Sequence, residues 1–131
     1  MNLIPTLTAD DAERALAASL DAARTAGAAV TIAIVDAAGA LLALGRMDGA
    51  RAYTVDLATR KARTAAAVGV GTAVLAALYK DKAAPAEMMT MPGGVPVLSD
   101  RQTAGAIGVS GAATDTDEAI AAVGLAVLAV A

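Results

Sequence analysis

Hydrophobic and polar positions alternate along the chain in two periods, and the changes of period mark the elements. Ala12, Ala15, Leu16, Leu20 and Ala23 recur at helical spacing on one face. Thr8-Ala-Asp-Asp11 ahead of them has the form of a capping box, in which hydroxyl and carboxylate each take an orphan N–H. Asp10 and Arg14 stand at i,i+4 as an ion pair, and Gly27 suits the residue just past the helix end. Val30 to Val35 is β-branched at five of six positions and predicts a strand. Asp36-Ala-Ala-Gly39 then supplies a turn, so Leu41 to Met47 returns antiparallel, with Leu42, Leu44 and Arg46 on one side.

Helical spacing resumes from Ala52 to Val68, where Tyr53, Leu57, Lys61, Thr64 and Val68 form a mostly apolar stripe with a lysine in its middle. Asp56 and Arg60 pair at i,i+4 beside it. Gly69-Val-Gly71 breaks the helix, and Thr72 is read as the cap of a short second one, Ala73 to Tyr79. Lys80 to Thr90 reads as a loop; with Met88, Met89 and Met91 it makes a flexible apolar segment. Two short apolar runs, Gly94 to Leu98 and Gly105 to Ser110, flank the polar turn Ser99 to Thr103 as a second hairpin. Gly93, Gly94, Gly105, Gly108 and Gly111 leave one side of that hairpin almost bare, so a packed helix, a neighbouring subunit or a ligand can approach its backbone. A last helix, from Glu118 to the end, is apolar nearly all round, with Ile120, Val123 and Val127 on one face and Leu125 and Leu128 on another.

The order helix, strand, strand, helix, helix, strand, strand, helix predicts an α+β fold, an antiparallel sheet of two hairpins with helices on its faces. A chain of 131 residues fits a single domain. Composition sharpens the picture: 57% of residues are hydrophobic, yet Phe and Trp are absent. The core is therefore built from many small alanine side chains, each burying little area, and self-association is an expected remedy.

A net charge of −3, with basic residues scattered among acidic ones, argues against nucleic-acid binding. The absence of cysteine and histidine removes disulfides, thiolate nucleophiles and the commonest metal ligand and general base. No metal site is expected. Ser110 has no histidine for a triad, and Asp115, Asp117 and Glu118 are accounted for as residues of a helix opening. No basic leader opens the chain and no apolar run is long enough to span a bilayer, so a cytoplasmic protein with no membrane partner is expected.

The remaining candidates for chemistry are few. Lys61 in its apolar stripe is either a desolvated base or Schiff-base amine, or a stem lying along the surface with its ammonium in water. Arg46 and Asp48 follow a strand end beside Gly49, placed to clamp a carboxylate and assist proton transfer, or else to form a surface ion pair. Arg63 adds a second positive group but lies about 160° from Lys61 around the helix. Gly93 and Gly94 can cradle an anion with their backbone N–H groups, or form a tight turn before an edge strand. Gly105, Gly108 and Gly111 make no dinucleotide fingerprint, since no strand-to-helix turn surrounds them.

Several stretches together resemble the GlcG/HbpS-like family. They are Leu7-Thr-Ala-Asp-Asp-Ala-Glu13, Ile32-Ala-Ile-Val-Asp-Ala-Ala-Gly39, Arg46-Met-Asp-Gly49, Lys61-Ala-Arg-Thr-Ala-Ala-Ala67, Pro92-Gly-Gly-Val-Pro-Val97, Gly105-Ala-Ile-Gly-Val-Ser-Gly111 and Asp117-Glu118. That family includes haem-binding extracellular sensor proteins and the C-terminal domain of PduO-type corrinoid adenosyltransferases. The resemblance implies a profilin-like α/β/α layered fold and a homo-oligomer, a dimer building to an octamer. It also implies haem as a possible cofactor in a pocket near a subunit boundary, where relatives use a histidine that this chain does not have. Tyr53, Tyr79, a methionine or a threonine hydroxyl would have to serve instead.

Three readings follow, the last of them structural, in which the chain is only an assembly unit. The first is an oligomeric domain holding a small anionic or planar ligand at the subunit interface, walled by the glycine hairpin and the methionine loop, with Arg46, Arg63, Tyr53, Met91, Gly93 and Gly94 as contacts. The second is a cofactor-independent isomerase, lyase or hydratase of a small carboxylated or aromatic metabolite, with Lys61 and Asp48 as catalytic groups.

Overall fold

The structure, a computed structural model, describes residues 1–128. Its elements are α1 (Ala9–Thr25), β1 (Thr31–Asp36), β2 (Leu41–Arg46), α2 (Tyr53–Val68), α3 (Thr72–Leu78), β3 (Gly94–Ser99), β4 (Gln102–Ser110) and α4 (Thr114–Leu128). The four strands form one antiparallel sheet in the order β2-β1-β4-β3. Helices α1 and α4 pack on one face and α2 on the other, giving the three layers and the α-β-β-α-α-β-β-α order expected.

Local chemistry explains most boundaries. Thr8 and Asp11 form the capping box, with the Thr8 N–H donating to Asp11 and the Asp11 N–H donating to Thr8 Oγ1. Arg14 pairs with Asp11 at 3.1 Å, not with Asp10, because the capping carboxylate is already turned along the helix toward it. The Asp36 carboxylate accepts from the Ala38 and Ala40 N–H groups, and Gly39 takes the left-handed conformation (φ 83°) that closes the first hairpin. The second hairpin turns at Asp100 and Arg101, both at positive φ, between the paired Ser99 and Gln102.

Three local expectations are corrected. The strict alternation in β2 fails at Leu42, where the register shifts between Ile34 and Val35; Leu42 packs with the α1 side of the core, and Leu44 with the α2 side. Thr72 does not cap α3, whose N-cap is Gly71; its hydroxyl instead accepts the Gly94 N–H at 2.9 Å and ties the helix to β3. Helix α4 begins at Thr114, four residues before the expected start, and the expected run to the chain end falls partly outside the described residues.

The two faces of the sheet differ in kind. Ile32, Ile34, Val95, Val97, Ile107 and Val109 point toward α1 and α4 and make the bulky half of the core. Ala33, Ala106, Gly94 and Gly108 point toward α2, whose Ala58, Ala62 and Ala65 meet them. Small residues on both surfaces bring helix and sheet close together. A Cβ at Gly108 would strike the Ala58 carbonyl oxygen and the Ala62 nitrogen, and one at Gly94 would strike the Lys61 carbonyl oxygen. Gly93, Gly94 and Gly108 are therefore closed by the chain's own α2, Gly105 by Leu7 and the Val35 carbonyl and Gly111 by Ala29 and Val30, so the bare side of the second hairpin forms no ligand wall.

Candidate functional site

The same α2 spacing that seats Ala58, Ala62 and Ala65 on the sheet turns Asp56, Arg60, Arg63 and Ala67 away from it, one turn apart along a single stripe. That stripe forms one wall of a groove of about 770 Å³. The β1–β2 turn, Ala37 to Gly39, makes a second wall, and Pro85 to Met88 a third. The third wall is held in place from below: the Met89 N–H donates to the buried Thr64 hydroxyl at 3.0 Å, and Met89 itself is buried. Arg60 faces Asp56 at a loose 3.8 Å on exposed surface. Arg63 makes no ion pair among the described residues, and its stem lies against Gly39. The groove thus presents the Arg63 guanidinium and the loosely held Arg60 together with the Asp56 and Glu87 carboxylates and the Thr64 hydroxyl, among alanine methyls, Val68, Pro85 and the Met88 thioether.

Lys61 lies on the opposite side of α2, as its angle from Arg63 requires. Its side chain is fully buried. The ammonium donates to the Val109 carbonyl at 2.8 Å and to Asp117 at 3.2 Å, and its stem runs along Gly93, where any Cβ would collide with it. Asp117, at the start of α4, also accepts the Ala112 N–H at 2.9 Å. Burial pushes the Asp117 carboxyl up from its ordinary range, against the pull of that N–H and of the Lys61 charge. The lysine is neither a solvated stem nor a group lining any of the grooves. It joins α2 to β4 and α4.

The other expected site residues are dispersed. Arg46 donates to the Ala50 carbonyl of its own loop at 3.0 Å and shares only a shallow, open depression with Asp48. Tyr53 is exposed and borders a separate polar depression with Arg51 and Gly111. Met91 is exposed, while Gly93 and Gly94 are buried against Lys61 and Thr72. Of the set, only Arg63 lines the principal groove. Lys61 and Asp48 border no common cavity among the described residues. Sequence reasoning pairs Arg60 only with Asp56 and not with Arg63, although the two arginines stand one turn apart, and assigns Asp117 to helix capping, whereas it also accepts from the buried Lys61.

A layered α/β/α domain with an arginine-bearing groove on one face describes a class of small domains, and the comparisons with known proteins narrow it. A family model described as haem degrading protein HbpS-like matches residues 7–126, so the chain belongs to the HbpS-like family. It is 37% identical over 100 residues to protein GlcG of Escherichia coli, covering 72% of this chain and 74% of that one. The crystal structure of HbpS from Streptomyces reticuli superposes with a TM-score of 0.89 at 33% identity, over 99% of this chain and 92% of that one. A crystal structure of a PduOC–haem complex superposes with a TM-score of 0.88 at 27% identity, over 96% and 97% of the two chains.

Proposed function

We propose that this domain binds a small anionic ligand with an apolar body in the groove between α2, the β1–β2 turn and the Pro85–Met88 segment. The observation that carries the reading is the Arg63 guanidinium, without an ion-pair partner among the described residues, at the edge of a groove of about 770 Å³ with a mainly apolar lining. A carboxylate there gains charge-assisted hydrogen bonds, while its hydrocarbon part covers the methyl groups. Isothermal titration with a panel of mono- and dicarboxylates tests it. Arg63→Ala is expected to weaken the ligands that bind by about 10- to 100-fold, the equivalent of a hydrogen bond to a charged group. Equal affinity in wild type and variant would remove the assignment.

Homo-oligomerisation is part of this reading, with a second copy bounding the open side of the groove. It is supported by the alanine-rich core and by the exposed apolar side chains Val74 and Leu78 on α3, Met91 beyond it, and Val123 and Val127 on α4. Dimers building to octamers would register in light scattering coupled to size exclusion. No single helix among the described residues is long and apolar enough to cross a membrane; a cytoplasmic placement is part of the reading proposed here.

Binding is preferred to isomerase, lyase or hydratase chemistry because the Lys61 ammonium is enclosed and already engaged by two acceptors. Haem is the ligand of the PduOC relative, and the groove fits it only in part. Arg60 and Arg63 suit its propionates and the alanine methyls its ring, but no histidine or cysteine exists anywhere in the chain to hold the iron.

A further inference from the structure

Charges of both signs surround the groove, and their arrangement narrows what it holds, given the ligand-binding reading of that same groove. Arg60 and Arg63 on α2 are matched by Asp56 on the same stripe and by Glu87 on the Pro85–Met88 wall, so the lining is neutral as a whole. Asp56 and Arg60 face each other at 3.8 Å within α2 and account for one charge of each sign. Arg63 and Glu87 are left. Neither makes an ion pair among the described residues, with the other or with any third group, although both line the groove.

The fold keeps these two apart. The Arg63 stem lies against Gly39 of the β1–β2 turn, whereas Glu87 belongs to the segment fixed by the Met89 to Thr64 hydrogen bond. Opposite charges therefore stand on separate walls of one cavity. Thr64 adds a second donor beside Arg63: its oxygen accepts the Met89 N–H, and its proton has no acceptor among the described residues. A simple carboxylate on Arg63 covers Glu87 without giving it a partner, and a dicarboxylate sets a second negative charge against Glu87 and Asp56. A molecule with one charge of each sign satisfies both walls.

We propose that the groove binds an amino acid with an apolar body, its carboxylate on Arg63 and the Thr64 hydroxyl and its ammonium on Glu87. The hydrocarbon part then covers Ala67, Val68 and Pro85. The test is calorimetric titration of the full chain with norleucine, ε-aminocaproate and caproate. The first two carry the ammonium next to the carboxylate and at the far end of the chain; the third has the same carbon chain and no ammonium. The better of the two amino acids is expected to bind about tenfold tighter than caproate, the equivalent of one more hydrogen bond between charged groups. Glu87→Gln is expected to remove that preference by weakening the amino acid alone, and Arg63→Gln to weaken all three. Both side chains are exposed, so neither variant disturbs the core.

Caproate binding at least as tightly as either amino acid, and weakened by Arg63→Gln, would overturn the amino-acid inference while leaving the anion-binding reading standing. A preference for the amino acid that survives Glu87→Gln would overturn it as well. Binding of none of the three, nor of any other carboxylate, would remove both.

Discussion

The Lys61 ammonium lies 3.2 Å from the Asp117 carboxylate, both fully buried, joining helices on opposite faces of the sheet. Desolvation makes such a pair costly to assemble, yet removing one member leaves the other charge stranded without water. Lys61→Met is therefore expected to destabilise the domain by about 3–5 kcal/mol, whereas Lys61→Met with Asp117→Asn, which keeps an acceptor for the Ala112 N–H, loses less than half as much. Urea unfolding of the two single variants and the double one measures the coupling.

The pH dependence of stability has two opposing carboxylate contributions. Asp11, lowered by the Thr8 N–H it accepts, contributes stability that is present above the unfolded value and lost as pH falls through the folded one. Asp117, raised by burial, works in the other direction: its contribution is complete below the unfolded value of 3.8 and is lost as pH rises through the folded one. Carbon-detected NMR titration is expected to find Asp11 titrating below 3.8 and Asp117 above it. Unfolding of Asp11→Asn is expected to show the difference from wild type shrinking in acid.

Helix–sheet contact across Gly108 leaves no room for a methyl group. The obstructing atoms belong to the α2 backbone, which can yield only by moving the helix off the sheet. Gly108→Ala is expected to cost about 1–3 kcal/mol or more, read as a lowered unfolding midpoint. Gly27→Ala, where no atom lies near the missing Cβ, tests strain alone, because that residue has φ 68°.

Thr64 holds the third wall of the groove through the Met89 N–H. Thr64→Val keeps the shape and removes the acceptor, leaving a buried N–H unpaired at a cost of about 1–3 kcal/mol. Ligand affinity is expected to fall with it while Arg60 and Arg63 remain in place, and hydrogen exchange at Met89 is expected to rise.

The elements were legible because each is written locally. The capping box at Thr8, the β-branched run before Asp36, and the left-handed residues at Gly39 and Gly69 act within a few positions of themselves. The site was less legible because its parts are assembled at a distance. Periodicity marked Lys61 as unusual, but its partner is 56 positions away and sits where acids are common for another reason. The glycines of the second hairpin announced a close approach without naming the visitor, which the packing identifies as α2 at Gly94 and Gly108 but as Leu7 and Val35 at Gly105 and as Ala29 and Val30 at Gly111. The groove joins three segments separated by turns and loops, and only Arg63 carried a hint of it.

The pairing of β1 with β4 sets a condition on how this chain reaches its native state. Each hairpin can close on its own, but the central seam joins residues some 75 positions apart, such as Ile32 and Val109, and α2 has no complete surface to land on until that seam exists. Loop-closure entropy is paid before the reward arrives, so collapse of the two halves is one cooperative event and not the docking of finished pieces.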